Sequence, residues 1–457
     1  MLNKTVVIDI VGLCSRLIGP NTPFLQKRVA QGHLQAIKPA FPAVTTTAQY
    51  TYLTGKYPTD HGIVGNGWYF KDECEVKFWR QSNHLVQAPK IWEIMKAQDS
   101  KFTCANMFWW YNMYSSVDYS VTPRPQYAAN GLKFPDVYSH PSYLRDELQS
   151  ELGAFPLFKF WGPATSIVSS KWIADASMRV EEKYNPTLTL IYLPHMDYGL
   201  QKYDHTDDRV LKDLEEIDGV VEELVEFYEK RGAQVLLLSE YGITPVQRPI
   251  YINRVLREAG LIQVRVERGG ELLDAGASEA FAAVDHQIAH VYVKDKSRMT
   301  EVRDLLEKIE GVEHVLGLEG KKEWNISHDR AGDLVLVADK DSWFAYYYWL
   351  DDSRAPDFAR IVDIHKKPGY DPVEMFVNPK IAVPMAKIGA TLLKKKLGFR
   401  YLMDVIPLDA TLIRGSHGRI PENTHDWPIL LTSQPVQTVN ETPTQVFDVL
   451  VNTLQST

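Results

Sequence analysis

The sequence predicts an α/β fold, in which a mostly parallel sheet is flanked by helices and carries a smaller inserted α+β cap. Short apolar runs bounded by turn residues alternate with longer segments of helical period. Three predicted strands have a carboxylate near or just after their ends: Asp9, Asp197 and Glu240. Open parallel sheets bind ligands at this edge. Of the 457 residues, 45% are hydrophobic and 24% are charged, which is typical of a globular protein.

The elements of the core and the cap follow from these patterns. The predicted core strands span residues 5–11, 187–193 and 234–238. The predicted amphipathic helices span residues 22–31, 171–184 and 209–230. The cap is predicted from a strand at 288–293, a helix at 300–309 and a strand at 312–316. The domain boundaries are then 1–245 for the first part of the core, 246–340 for the cap and 341–457 for the C-terminal part of the core.

Composition excludes several classes of partner. The formal net charge of −8 provides no basic surface for a nucleic-acid polymer. No run of about 18 apolar residues occurs, so no membrane span is expected. The three cysteines, Cys14, Cys74 and Cys104, suit a reducing compartment, and we expect a cytoplasmic protein. The sequence does not indicate the oligomeric state.

The most informative motif is F-P-A-V-T at 41–45, which is followed by T-G-K-Y-P at 54–58, H-G-I at 61–63 and Asn66. A proline-led turn that enters a helix through hydroxyl residues can present one threonine at the helix N-terminus, where free N–H groups favour an anion. Thr45 is the candidate nucleophile of such a phosphate site. The alternative is that Thr45, Thr46 and Thr47 form a helix cap without chemistry.

These segments resemble the type I phosphodiesterase and nucleotide pyrophosphatase family of the alkaline phosphatase superfamily. The resemblance implies an alkaline-phosphatase-like fold and a small phosphorylated substrate. In the family a threonine attacks phosphorus to form a covalent phosphoenzyme, and two divalent metals, usually zinc, activate it. Carried over to this chain, the resemblance makes Thr45 the nucleophile and places Asn66 near the phosphate.

Two positions match the metal ligands of the family. Asp197 falls on the metal-binding aspartate that follows a strand, and His417, in the sequence R-G-S-H-G at 414–418, falls on a distant histidine ligand. His365, which precedes a G-Y-D run, is a second-ranked alternative to His417. His195 lies two residues before Asp197 and is a further possible ligand, although a loop histidine beside a carboxylate is more often a hydrogen-bonded residue.

Other positions depart from the family pattern. Gln201 stands where the partner histidine of Asp197 is expected, and Glu240 and Tyr241 stand where the family has Asp and His. Tyr241 is expected to be a neutral hydrogen-bond donor, because a phenol with a pKa near 10 rarely coordinates metal as phenolate. On the first strand Val11 occupies the metal position, and Asp9 points to the same side two residues earlier.

The expected function is a metal-dependent hydrolase of phosphodiester, pyrophosphate or phosphomonoester bonds. Its metal ligands are expected to be Asp9, Asp197, Glu240 and His417, with Gln201 and Tyr241 as possible additions. Oxygen-rich ligation favours Mn²⁺ or Mg²⁺ over Zn²⁺, with one or two ions bound. One alternative is a non-hydrolytic member that binds a phosphorylated metabolite in a biosynthetic pathway. Another is a transferase that passes the phosphoryl-linked group from Thr45 to an alcohol.

Overall fold

The computed structural model describes residues 2–129 and 132–456. The strands in chain order are β1 Thr5–Ile10, β2 His33–Ala36, β3 Gly67–Phe70, β4 Glu75–Phe78, β5 Cys104–Met107, β6 Tyr119–Pro123, β7 Gln126–Tyr127, β8 Lys133–Phe134, β9 Val137–His140, β10 Leu188–Leu193, β11 Gln234–Leu238, β12 Thr244–Pro245, β13 Arg248–Ile250, β14 Val264–Glu267, β15 Gly270–Leu273, β16 Ala280–Asp285, β17 Ile288–Val293, β18 Val312–Leu316, β19 Leu334–Ala338, β20 Ser342–Phe344, β21 Gly415–Ser416 and β22 Ile429–Thr432. The α-helices are α1 Pro23–Gln31, α2 Thr45–Thr54, α3 Pro58–His61, α4 Ile91–Gln98, α5 Tyr143–Leu152, α6 Leu157–Phe160, α7 Val168–Tyr184, α8 His195–Lys202, α9 Asp208–Glu229, α10 Ile252–Glu258, α11 Met299–Leu306, α12 Leu318–Glu323, α13 Pro384–Lys396 and α14 Gln445–Gln455.

An eight-stranded sheet in the order β2-β22-β11-β1-β10-β5-β6-β9 forms the core. The five strands from β11 to β6 run parallel, and β22, β2 and β9 are antiparallel to their neighbours. Strand β1 lies at the centre with every residue buried, as its continuous apolar run requires. The mostly parallel α/β fold predicted from the sequence is therefore confirmed.

Three neighbouring strands deliver carboxylates to one edge of the sheet. Asp9 lies near the end of β1, Asp197 follows β10 in the first turn of α8, and Glu240 comes two residues after β11. Because β10, β1 and β11 are adjacent and parallel, their carboxyl ends meet at the same edge. The topology thus positions the candidate site.

A second unit contains the antiparallel sheet β16-β17-β19-β18, with α11 beside it. It has its own hydrophobic cluster. The aromatic run at 343–349, predicted to belong to the core, packs in this second cluster, because β20 pairs with β13 beside the sheet. The predicted domain boundaries remain a prediction. In the described part of the chain, no helix combines the length and the apolarity that a membrane crossing requires.

Candidate active site

Thr45 is the first residue of α2 and is buried, with 2% of its surface exposed. The residue before it, Val44, is extended, so the chain enters the helix through a sharp change of direction. A residue far along the chain stabilises this turn, because the Ala43 N–H donates to the Gly418 carbonyl at 3.0 Å. The structure therefore places Thr45 at a helix N-terminus, as the sequence predicts.

A chain of hydrogen bonds runs from Thr45 into the protein. Tyr241 donates its hydroxyl proton to Asp197 Oδ1 at 3.1 Å, so its oxygen accepts from the Thr45 hydroxyl, also at 3.1 Å. Asp197 Oδ2 accepts from Gln201 Nε2 at 2.9 Å, and Gln201 Oε1 accepts from the Tyr370 hydroxyl at 3.0 Å. Gln201 and Tyr241, which stand at histidine positions of the family, thus both bind Asp197.

The protonation states of this chain follow from its burial. Burial raises the pKa of Asp197 to about 7, although the donors Tyr241 and Gln201 oppose the shift. Burial, with the nearby carboxylates Asp197 and Glu240, raises the pKa of Tyr241 well above its usual range. Tyr241 is therefore a neutral phenol at pH 7 and donates a hydrogen bond.

Asp9 and Glu240 form a separate buried pair of carboxyl groups. Glu240 Oε1 accepts from Gln49 Nε2 at 2.6 Å. Within residues 2–129 and 132–456, both carboxyl oxygens of Asp9 and the Oε2 atom of Glu240 have no hydrogen-bond partner. Burial raises the pKa of Asp9 to about 7, and burial together with the charge of Asp9 raises the pKa of Glu240 well above its usual range.

These oxygens provide a test of whether the site fits the metals that the family implies. Asp9 and Glu240 offer unpartnered oxygens beside the Thr45 hydroxyl, and hard cations such as Mn²⁺ and Mg²⁺ prefer such donors. On the other side, Tyr241 and Gln201 hydrogen-bond to Asp197 in place of the histidines that would bind zinc. The residues therefore fit one oxygen-ligated cation better than the two-zinc arrangement.

His417 lies in a stack of four buried rings. Its ring centroid is 3.6 Å from that of Tyr241 and 3.7 Å from that of His286, which in turn lies 3.6 Å from Tyr370. His417 Nδ1 donates to the Ala43 carbonyl at 2.8 Å, because a carbonyl oxygen can only accept. Nε2 consequently carries a lone pair, 3.8 Å from Asp197 Oδ1, and burial holds the pKa of the ring well below its usual range.

Asn66 and Asp285 support the start of α2. The Thr46 N–H donates to Asn66 Oδ1 at 3.1 Å, while the backbone and side-chain amides of Asn66 donate to Asp285 at 2.8 and 3.2 Å. His286 Nδ1 lies 2.7 Å from Asp285 Oδ1. Burial raises the pKa of Asp285 to about 6. Asp285 and His286 match no motif of the family, and the adjacency of an acidic residue and a histidine is the only sequence signal that indicates them.

An aromatic cavity opens beside Thr45, Asp197 and Tyr241. Its volume is about 150 Å³, and its lining includes Trp79, Trp110, Trp161, Phe158 and Phe160. The aromatic lining beside a hydroxyl and a carboxylate is typical of a site for a small organic ligand with a polar group.

The two remaining candidate histidines lie apart from the hydrogen-bond chain of Thr45. His365 lines the wall of the aromatic cavity, and burial lowers its pKa. His195 begins α8 and faces Asp213 and Glu216 on α9. The structure thus brings together Thr45, Tyr241, Asp197, Gln201 and His417.

A parallel sheet with a threonine at a helix start and carboxylates at one edge is the architecture of the alkaline phosphatase superfamily. The family model described as type I phosphodiesterase / nucleotide pyrophosphatase matches residues 5–371, and the chain belongs to that family.

Relatives and solved structures agree with this assignment. The chain is 26% identical over 263 residues to ectonucleotide pyrophosphatase/phosphodiesterase 2 of Saccharomyces cerevisiae, covering 53% of this chain and 48% of the relative. It is 23% identical over 241 residues to human ectonucleotide pyrophosphatase/phosphodiesterase family member 1, covering 50% of this chain and 22% of the relative. The chain thus spans less than half the length of the curated relatives it matches.

Two solved structures show the same fold at low sequence identity. Phosphonoacetate hydrolase from Sinorhizobium meliloti 1021 superposes with a TM-score of 0.61 at 15% identity, covering 100% of this chain and 96% of that one. Human ectonucleotide pyrophosphatase / phosphodiesterase 5 superposes with a TM-score of 0.60 at 13% identity, covering 99% and 95%.

Proposed function

We propose that this chain hydrolyses a phosphodiester, pyrophosphate or phosphomonoester bond in a small phosphorylated metabolite, with Thr45 as the nucleophile. The observation that carries the proposal is the position of the Thr45 hydroxyl, at the N-terminus of α2 and beside a cavity. Family membership and the names of the relatives, which are pyrophosphatases and phosphodiesterases, support the same reaction class.

The hydrogen-bond chain supplies a route for the Thr45 proton. As the Thr45 oxygen attacks phosphorus, its proton passes to the Tyr241 oxygen and the Tyr241 proton passes to Asp197. The oxygen–phosphorus bond forms while the bond to the leaving group breaks, which gives a covalent phosphothreonine and a leaving group that takes a proton from solvent. Water then attacks phosphorus and loses a proton to solvent, the bond to the Thr45 oxygen breaks, and Asp197 returns its proton to Thr45 through Tyr241. The pKa of Asp197, raised by burial to about 7, suits a proton acceptor that works near neutral pH. Gln201 fixes the orientation of that carboxylate.

Asp9 and Glu240, with the Thr45 hydroxyl, are the residues that would hold a divalent cation, and Mn²⁺ or Mg²⁺ suits their oxygen donors better than Zn²⁺. Such a cation, when bound, offsets the charge of the phosphoryl group and lowers the pKa of the nucleophile. Gln49 donates to Glu240 and holds it in place. The ligand roles predicted for Asp197 and His417 remain predictions, and the free Nε2 lone pair supports that of His417.

The test compares the wild-type chain with Thr45→Ala and Thr45→Ser on a chromogenic phosphodiester, with Mn²⁺, Mg²⁺ or Zn²⁺ added. Thr45→Ala should abolish turnover, and Thr45→Ser should retain part of it because the hydroxyl remains. Acid quenching followed by peptide mass spectrometry should find phosphate on Thr45 in the wild-type chain. Undiminished turnover by Thr45→Ala would show that another group is the nucleophile.

The hydrogen bonds that Tyr241 and Gln201 make to Asp197 favour a second candidate, a family member that binds a phosphorylated metabolite without cleaving it. The two candidates differ in one measurement. A chain that binds a non-hydrolysable phosphonate analogue by calorimetry, yet turns over no phosphoester with any of the three metals, matches the second candidate.

We also propose a cytoplasmic location. Cys14, Cys74 and Cys104 are free thiols, and two of them are buried. Free cysteines are usual in reducing compartments. Fractionation of cells that express the tagged chain tests the location.

A further inference from the structure

A separate group of metal-ligating side chains lies between α8 and α9. His195 is the first residue of α8, and Asp213 and Glu216 stand three residues apart on one face of α9. His195 Nε2 lies 3.3 Å from Asp213 Oδ1 and 3.4 Å from Glu216 Oε2. All three ligand atoms lie within 4.8 Å of one another.

His195 is buried and aimed at this group. It is 2% exposed, and across the described residues neither of its ring nitrogens has a hydrogen-bond partner. The side chains of Asp213 and Glu216 are 23% and 30% exposed, so the two carboxylates connect the imidazole to solvent. Glu216 also pairs with Lys212 through Oε1 at 3.4 Å, which leaves its Oε2 atom directed at the imidazole. The imidazole lone pair and the two facing carboxylate oxygens are therefore available to bind a cation.

The distances from the imidazole nitrogen to the two carboxylate oxygens match those of a metal centre. In a tetrahedral site with bonds of about 2.1 Å, neighbouring ligand atoms are about 3.4 Å apart. The two imidazole–carboxylate separations are 3.3 and 3.4 Å. The site also depends on a small neighbour, because a Cβ atom at Gly199 would lie 2.2 Å from Asp213 Oδ2. Glycine at this position of α8 therefore lets the carboxylate lie against the helix.

We propose that His195, Asp213 and Glu216 bind a divalent transition-metal ion, with water in the remaining position. The imidazole nitrogen favours a transition-metal ion over Mg²⁺, and a carboxylate oxygen is also an accepted Zn²⁺ ligand, so Zn²⁺ is the ion to test. The bound ion would join the start of α8 to α9. Since Asp197 follows His195 by two residues on α8, the ion would also fix the helix that carries the proton acceptor of the proposed reaction.

The experiment measures Zn²⁺ binding by isothermal titration calorimetry in an Asp9→Asn/Glu240→Gln background, which removes the cation site of the proposed function. This background should bind one equivalent of Zn²⁺. Co²⁺ should give the visible absorption of a tetrahedral site. Adding His195→Gln or Glu216→Gln should weaken the affinity on the order of 100-fold, because each change removes a ligand. The matched control is Glu222→Gln, an exposed acidic residue of the same helix, which should leave the affinity unchanged.

Two results would overturn the proposal. One is that the folded Asp9→Asn/Glu240→Gln protein binds less than one equivalent of Zn²⁺; the other is that this protein and its three further variants all bind Zn²⁺ with the same affinity. If the background does not fold, the same titration is made in the otherwise wild-type chain. There Glu216→Gln, a partly exposed position, should lower the Zn²⁺ stoichiometry by one, and an unchanged stoichiometry would contradict the proposal. The experiment measures metal binding and not turnover. Its result is therefore independent of whether Thr45 is the nucleophile.

Discussion

Replacing Tyr241 with phenylalanine removes the hydroxyl group that joins Thr45 to Asp197. The phenyl ring still stacks on His417, where the two rings lie 3.6 Å apart and 6° from parallel. Two hydrogen bonds are lost, at 3.1 Å each. The variant therefore separates the proton route from the packing of the site.

The size of the effect follows from the role of the lost group. A positioned acid or base contributes roughly 10²–10⁴-fold to a rate. We expect kcat to fall by about 10²–10³-fold, which corresponds to about 3–4 kcal/mol of activation free energy at ~1.36 kcal/mol for each factor of ten. The two lost hydrogen bonds should cost only about 1 kcal/mol each in the free energy of unfolding.

The assay is the pH profile of kcat/KM with a chromogenic phosphodiester. Tyr241 lowers the pKa of Asp197 by donating to it, so the acid limb of any residual activity should move to higher pH in Tyr241→Phe. The matched control is Tyr228→Phe, which removes a buried hydroxyl that donates to the Ser177 carbonyl at 3.0 Å. Of these two tyrosines, Tyr241 alone lies between Thr45 and Asp197, so only Tyr241→Phe should lower kcat. If the two variants are equally stable and also have the same kcat, the proton route is refuted.

Three further predictions concern pH, metal and backbone. In the wild-type chain kcat/KM should fall as pH drops below about 7, because protonated Asp197 cannot accept the proton; a flat profile from pH 5 to 8 would argue against it. The pKa of Asp9 is raised from 3.8 to about 7, so its contribution to stability is present below pH ~4 and is lost as pH rises through about 7. Because the ionised carboxylate is the form that binds a cation, Mn²⁺ should raise the melting temperature more at pH 8 than at pH 5, and Asp9→Asn should reduce this difference. Gly242→Ala should destabilise the fold by about 2 kcal/mol or more in denaturant unfolding, because the new Cβ would lie 1.9 Å from the Asp426 carbonyl oxygen. Gly219→Ala, which has open space around it, is the control.

Local sequence patterns predict several strands of both units well. The bounds of β11, β17 and β18 equal the predicted ranges, because turn or polar residues flank each short run of strand-forming residues. Helix α8 shows the opposite case. The segment at 195–202 has mixed composition with a glycine inside it and was predicted as a loop; packing against α9 stabilises it as a helix. Tertiary contacts override a weak local propensity there.

The residues of the candidate site can be predicted from the sequence only where they lie in a recognisable motif. Thr45, Asp197 and Tyr241 come from three motifs, and the strands that precede the last two, β10 and β11, flank β1 in parallel and end at the same edge. Asp285, His286 and Tyr370 lie in other segments, and the bridge between Val284 and Gly369 is what brings those segments together. No local pattern encodes that pairing, so His286, in the turn between β16 and β17, cannot be assigned to the site until the fold is known.

The ring stack has a consequence for the biogenesis of this protein. Its members occupy positions 241, 286, 370 and 417, and the turn before Thr45 is held by Gly418. During synthesis from the N-terminus, the segment around Thr45 leaves the ribosome long before the residues that enclose it. The emerging chain also lacks β22, which separates β2 from β11 in the finished sheet. The candidate site therefore cannot assemble until the segment around Gly418 has been synthesised, and unpaired strand edges remain available to chaperones in the meantime.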